Sequence, residues 1–200
     1  MNELSAGLQA EYDYMATADF YAPVYGIFAR GAFDNYNSNL RTGSHHSFGV
    51  NFHKTFTDRL SLTSVISDNT KAANSIVFTT HDDSGLVNLD YVNGDYGTYY
   101  LTGEYRKGDV VSSGQSSVQK LEIASWFVDD DAFSAAGLNA YRLKAVTNLI
   151  TLGYNYSFGP KDSVDISYRR VISTPDVKPN NGQGEQYYDN QYSLSYLLAF

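Results

Sequence analysis

The chain contains no cysteine, 4 prolines, 2 methionines and a single tryptophan among 200 residues. Without cysteine there is no disulfide framework, no thiol chemistry and no Cys-based zinc site. That absence leaves the compartment open, though it suits a protein that crosses an oxidising periplasm. A basic surplus is missing too. Lys and Arg total 14 against 22 Asp and Glu, for a net charge of −8, and no basic stripe is present to track a nucleic-acid backbone. No apolar run approaches the roughly 18 residues a membrane helix requires. The opening "MNELSAGLQA" lacks the basic start and apolar centre of a signal peptide. A hydropathy scan therefore takes the chain for soluble, but such a scan is blind to strands that hide an apolar face behind a polar one.

What the chain does have is 18 Tyr, 11 Phe and 16 Gly, interleaved with Ser, Thr and Asn. That mixture favours an all-β fold, and the length fits one domain spanning 1–200. Apolar and polar residues alternate along most of the sequence. In "ELSAGLQAEYDY" Leu4, Ala6, Leu8, Ala10, Tyr12 and Tyr14 share one parity, and Ser5, Gly7, Gln9, Glu11 and Asp13 the other. Such period-two patterning sends the two sets to opposite faces of a strand. The same pattern predicts strands over 20–36, 47–57, 59–68, 97–109, 141–158, 163–174 and 187–200, with a weaker one over 75–92, bulged at "HDDSG". Several of these exceed the mean strand of about six residues and reach the roughly 9–11 that cross a bilayer obliquely. The polar parity carries charges of both signs, and the apolar parity places Tyr near strand ends. Aromatic girdles around an apolar band, with a polar interior, are what a transmembrane barrel demands.

The chain ends "YSLSYLLAF", where Tyr192, Leu194, Tyr196, Leu198 and Phe200 fall on every second position. This resembles the C-terminal assembly signal of Gram-negative outer-membrane β-barrels. More widely, "YLTGEYRKGDVVSSG", "VDDDAF", "AYRL", "TLGYNYSFGPKDSVDISYRR" and the final strand are similar to the C-terminal halves of poorly characterised proteobacterial outer-membrane barrels. The resemblance implies an antiparallel transmembrane β-barrel in the bacterial outer membrane. It also implies contact with outer-membrane lipid and lipopolysaccharide, and recognition of the last strand by the barrel assembly machinery. It implies no activity.

With Phe200 on the periplasmic side, the short connections Ala16–Asp19, Thr57–Asp58, Asn93–Gly97 and Gly159–Asp162 fall on that side. The longer ones, about 36–46, 69–74, 110–140 and 175–186, fall outside, the 110–140 loop being the largest. About nine strands are counted, ten if "SVQKLEIASWFV" crosses the membrane. Its mixed faces favour an outer-loop hairpin instead. Bacterial single-chain barrels have even strand numbers, and lipid does not solvate a bare strand edge. The expectation is an N-terminally incomplete barrel of 10–12 strands, with upstream strands and a signal peptide preceding Met1.

The residues able to carry chemistry are the charges of the polar parity: Glu11, Asp13, Arg30, Asp34, Glu104, Arg106, Asp165 and Arg169. In a narrow lumen they satisfy one another, since unpaired buried charge is costly. Alternatively they form a charged constriction selecting small polar solutes. No nucleophile and base fall in register, so no enzyme is expected, and no cofactor or metal. His81 with Asp82 and Asp83 is the one suggestive cluster, but adjacent strand residues face opposite ways. His45–His46 is too small a set for a metal, and Asp129–Asp131 reads as a hydrated acidic loop rather than a calcium site. Two roles follow: a structural or surface-anchoring barrel with a mostly filled lumen, or a narrow porin-like passive channel. About eight strands leave a bore filled by side chains, whereas aqueous pores need about 16.

Overall fold

Alternation becomes architecture through strand register. In the computed structural model, which describes residues 3–94, 96–115, 117–132, 137–159, 162–178 and 186–198, ten strands form one antiparallel sheet. In chain order they are β1 (Glu3–Met15), β2 (Val24–Tyr36), β3 (Gly43–Thr57), β4 (Leu60–Ala73), β5 (Thr80–Asn93) and β6 (Gly97–Gln115). There follow a short helix α1 (Val118–Ile123) and then β7 (Trp126–Asp129), β8 (Leu138–Ser157), β9 (Asp162–Pro175) and β10 (Tyr187–Leu198). Nine long strands run as a meander, β1-β2-β3-β4-β5-β6-β8-β9-β10, and β7 adds a short rung to β8. β7 pairs with Asn139–Arg142, beyond Ala145 where β9 stops.

The sheet does not close, so β1 and β10 are both edges. Each successive strand reverses, and the eight reversals along nine strands leave the first and last strands pointing the same way. Glu3 of β1 pairs with Tyr36 beside the 37–42 connection, and Tyr187 of β10 pairs with Ser173 at the same end. That end carries 37–42, 74–79, the 116–137 insertion and 176–186. The other end carries 16–23, 58–59, 94–96 and 158–161.

Several expected boundaries shift. β5 starts at Thr80, and its pairing to β4 and β6 is continuous, so "HDDSG" is not bulged. The irregularity of this hairpin lies in β6, at Gly108, whose φ is +154°. A side chain there would strike the His81 carbonyl and the Asp82 backbone, 2.3–2.5 Å away. Beyond Gly108, β6 leaves β5 and continues with β8 alone, so 110–115 and 138–140 are strand, not loop. The first turn, 16–23, is longer than expected, and 37–42 is shorter. "SVQKLEIASWFV" is neither a membrane strand nor a simple hairpin. Ser117 caps α1 by accepting a hydrogen bond from Lys120 N at 3.2 Å, and only Trp126–Asp129 pairs with β8.

The buried apolar side chains gather at the end with the long connections. Alternation puts Ala140 on one face of β8 and Tyr141, Leu143 and Ala145 together on the other. Val77 and Phe78 of the 74–79 connection pack on Ala140, joined by Leu40, Val111 and Val128. Ile123 of α1 packs on Tyr141, Leu143 and Ala145, joined by Val110 and Phe127. This small two-sided cap holds seven of the nine buried apolar residues described. Over the rest of the sheet, the apolar parity is bare: Leu8 is 88% exposed, Tyr192 82% and Leu194 74%.

Candidate functional site

The eight charges picked out by parity share one face of the sheet. The register steps from Glu11 to Phe28 and Gly49, from Asp34 to Gly43, from Glu104 to Leu149, and from Asp165 to Asn155, always within the same parity. Arg30, Arg106, Arg169 and Asp13 fall on that face too. Tyr12, Ile27, Val50, Ile66, Leu101, Leu152 and Leu194 hold the opposite one.

The charges are engaged mainly by neutral polar neighbours on the same strand or one or two strands away, not by opposite charges across a bore. Glu11 accepts from Asn51 Nδ2 at 2.6 Å and from Gln9 Nε2 at 3.0 Å. Asp165 accepts from the Tyr100 hydroxyl at 3.0 Å, a bond that passes over Gly153 of the strand between them. Arg169 Nε donates to Thr151 at 3.2 Å, and the Arg30 guanidinium lies 4.5 Å from the Phe28 ring centre. Arg106 pairs with Glu104 on its own strand. Neutral donors on the same face satisfy these carboxylates, so long-range ion pairs are not needed.

Asp34 is the most enclosed of the eight, 3% exposed. It accepts from Ser5 Oγ at 2.7 Å and meets His45 Nδ1 at 2.8 Å. The trio contains the residue types of a hydrolytic triad in the wrong order. Activation of Ser requires His between hydroxyl and carboxylate, whereas here Asp34 stands in the middle and holds the Ser5 proton itself. Ser5 carried no signal in the sequence and His45 only as half of the His45–His46 pair, because the register that joins both to Asp34 spans three strands.

At the cap, the Asp129–Asp131 run is fully engaged by donors. Arg41 reaches Asp130 at 2.6 Å and Asp131 at 3.2 Å, and its guanidinium lies 4.0 Å from the Phe78 ring centre. Ser38 Oγ bonds Asp131 at 2.6 Å, Ser113 Oγ bonds Asp130, and Asn139 Nδ2 reaches Asp129 at 2.7 Å. Burial raises the proton affinity of Asp130. The bonds from Ser113, Arg41 and the Ala132 N–H, with the Arg41 charge, outweigh that and hold its carboxyl below the usual range. The run thus clamps three connections together.

His81 and Asp82 do face opposite ways. Asp82 accepts from Asn69 Nδ2 on the polar face, while His81 and Asp83 lie on the other face beside Asp68 of β4. Of the terminal stretch, Tyr192, Leu194 and Tyr196 lie on the apolar face of β10, Leu198 is described by its backbone, and Phe200 lies outside the described residues. No helix among the described residues is long and apolar enough to cross a membrane, which says nothing of strands. Comparison with protein-family models, with curated proteins and with solved structures gives no match, so the reading rests on this chain's own residues.

Proposed function

We propose that this chain forms the wall of an outer-membrane β-barrel whose role is structural or surface-anchoring, with the polar face turned to a charged, mostly filled lumen. The observation that carries the reading is the exposed apolar face. About two dozen large apolar side chains on that face of the strands are left uncovered, while the buried ones crowd into the cap. Fully burying each such side chain is worth roughly 1.5–3 kcal/mol, so leaving them in water forgoes tens of kcal/mol. Hydrocarbon covers such a face, and a closed cylinder satisfies the strand edges. Because β1 and β10 point the same way, closing the cylinder antiparallel takes an odd number of further strands between them. The tyrosines near the strand ends match the interfacial girdles of such proteins.

A narrow passive channel is the second reading, favoured by the arginines and carboxylates on the polar face. The two are separated by planar-bilayer recording on the full chain refolded with lipid. A silent bilayer supports the anchor, and steady ion-selective steps overturn it in favour of the channel. The barrel reading itself is tested by gel mobility. Folded barrel protein in mild detergent should run differently before and after boiling, and a chain that is monomeric and folded in buffer without detergent would end the proposal.

A further inference from the structure

Across β4, β5 and β6 the apolar face ends at a definite row, whereas on β1 and β2 it continues through Leu8, Phe33 and Leu4. Val50, Ile66 and Tyr105 lie level across the sheet, with Gly85 between the last two. The next row toward the cap reads Phe48, Asp68, Asp83, Lys107, and the one after it His46, Thr70, His81. Asp68 and Asp83 are therefore direct cross-strand partners. Like charges so placed destabilise a sheet unless a cation offsets them. Lys107, the register neighbour of Asp83 on its far side, supplies one positive charge for the two carboxylates.

His81 is turned toward the same spot. Its Nδ1 is held by Thr70 Oγ1 at 3.2 Å, and its Nε2 lies 3.5 Å from Asp68 Oδ2. One ligand atom from each of Asp68, His81 and Asp83 lies within 4.8 Å of the other two, and the three are the one such group among the described residues. A hydrogen bond that fixes one imidazole nitrogen so that the other is presented is the usual support of a ligating histidine.

We propose that Asp68, His81 and Asp83 bind a zinc-class divalent cation on the outward face, just above the apolar belt, with Thr70 as the positioning residue. One imidazole and two carboxylates suit Zn2+ better than Mg2+ or Ca2+, which prefer all-oxygen sets. Three protein ligands leave the fourth position open to solvent. The ion neutralises the opposed carboxylates, which the sheet otherwise holds together at a cost. The site requires no lipid, so its failure and the failure of the barrel reading are separable.

The test is titration of the refolded full chain in detergent with Zn2+, followed by competition with a chromophoric chelator, and with Co2+, followed by its visible absorption. One ion per chain is expected. His81→Ala should abolish the cobalt spectrum, and Asp68→Asn or Asp83→Asn should weaken binding beyond the roughly 10–100-fold that loss of an outer partner costs. Thr70→Val should fall within that range, and His46→Ala should leave binding intact. The His81 and Asp68 side chains are about half exposed, so unchanged boiling-dependent mobility is expected to show the fold intact. No binding by the parent chain, or equal binding by His81→Ala, overturns the proposal.

Discussion

Gly153 shows how a single missing side chain shapes the polar face. A Cβ there would lie 2.1 Å from the Tyr100 ring, which covers this position to reach Asp165. Gly153→Val should displace the ring, break that bond and destabilise by about 1–3 kcal/mol, read from the denaturant midpoint. Gly103, on the opposite face, has open space where its Cβ would be, so Gly103→Ala should leave the midpoint within about 0.5 kcal/mol. Equal effects would mean the ring does not rest there. At the cap, Arg41 is 15% exposed and its partner Asp130 fully enclosed, so Arg41→Ala should cost about 3 kcal/mol. Arg106, half exposed beside Glu104, should cost under about 1 kcal/mol when truncated.

At the scale of elements, the cap carries its own pH dependence. Asp130 has a lowered folded-state pKa, so its stabilising contribution is complete above the unfolded carboxylate range and is lost as pH falls through the folded value. The single tryptophan, Trp126 in β7, sits four residues away and reports on it. Trp126 emission should shift to the red on acidification, with a midpoint below about 3.9, and Asp130→Asn should remove that transition. A midpoint above the ordinary carboxylate range would contradict the assignment. The same elements show where the sequence was legible. Strands with one polar and one apolar face, such as β1, β3 and β10, were readable from alternation alone. The extensions of β6 and β8 were not: Val110 and Val111 are both apolar because both faces of that hairpin are packed, one by Ile123 and one by Phe78. α1 is too short to show a helical period. The meeting of Asp68 with His81, or of Ser5 with His45, depends on pairing between strands, which no local pattern encodes.

For the molecule as a whole, the choice between lipid and water rests on which face resists charge. Leu194 and Ser195 are neighbours on β10 and point to opposite sides. Leu194→Arg should cost about 2–4 kcal/mol in a bilayer, and Ser195→Arg much less, measured by reversible unfolding from vesicles. In water the order would vanish, because Leu194 is already 74% exposed. The shared heading of β1 and β10 has a practical corollary. Glu3 sits at the capped end of the sheet and Leu198 at the opposite one. Epitopes spliced just ahead of residue 3 and just after residue 198 would then answer antibodies added from different sides of a sealed vesicle, turning strand parity into something a blot can read.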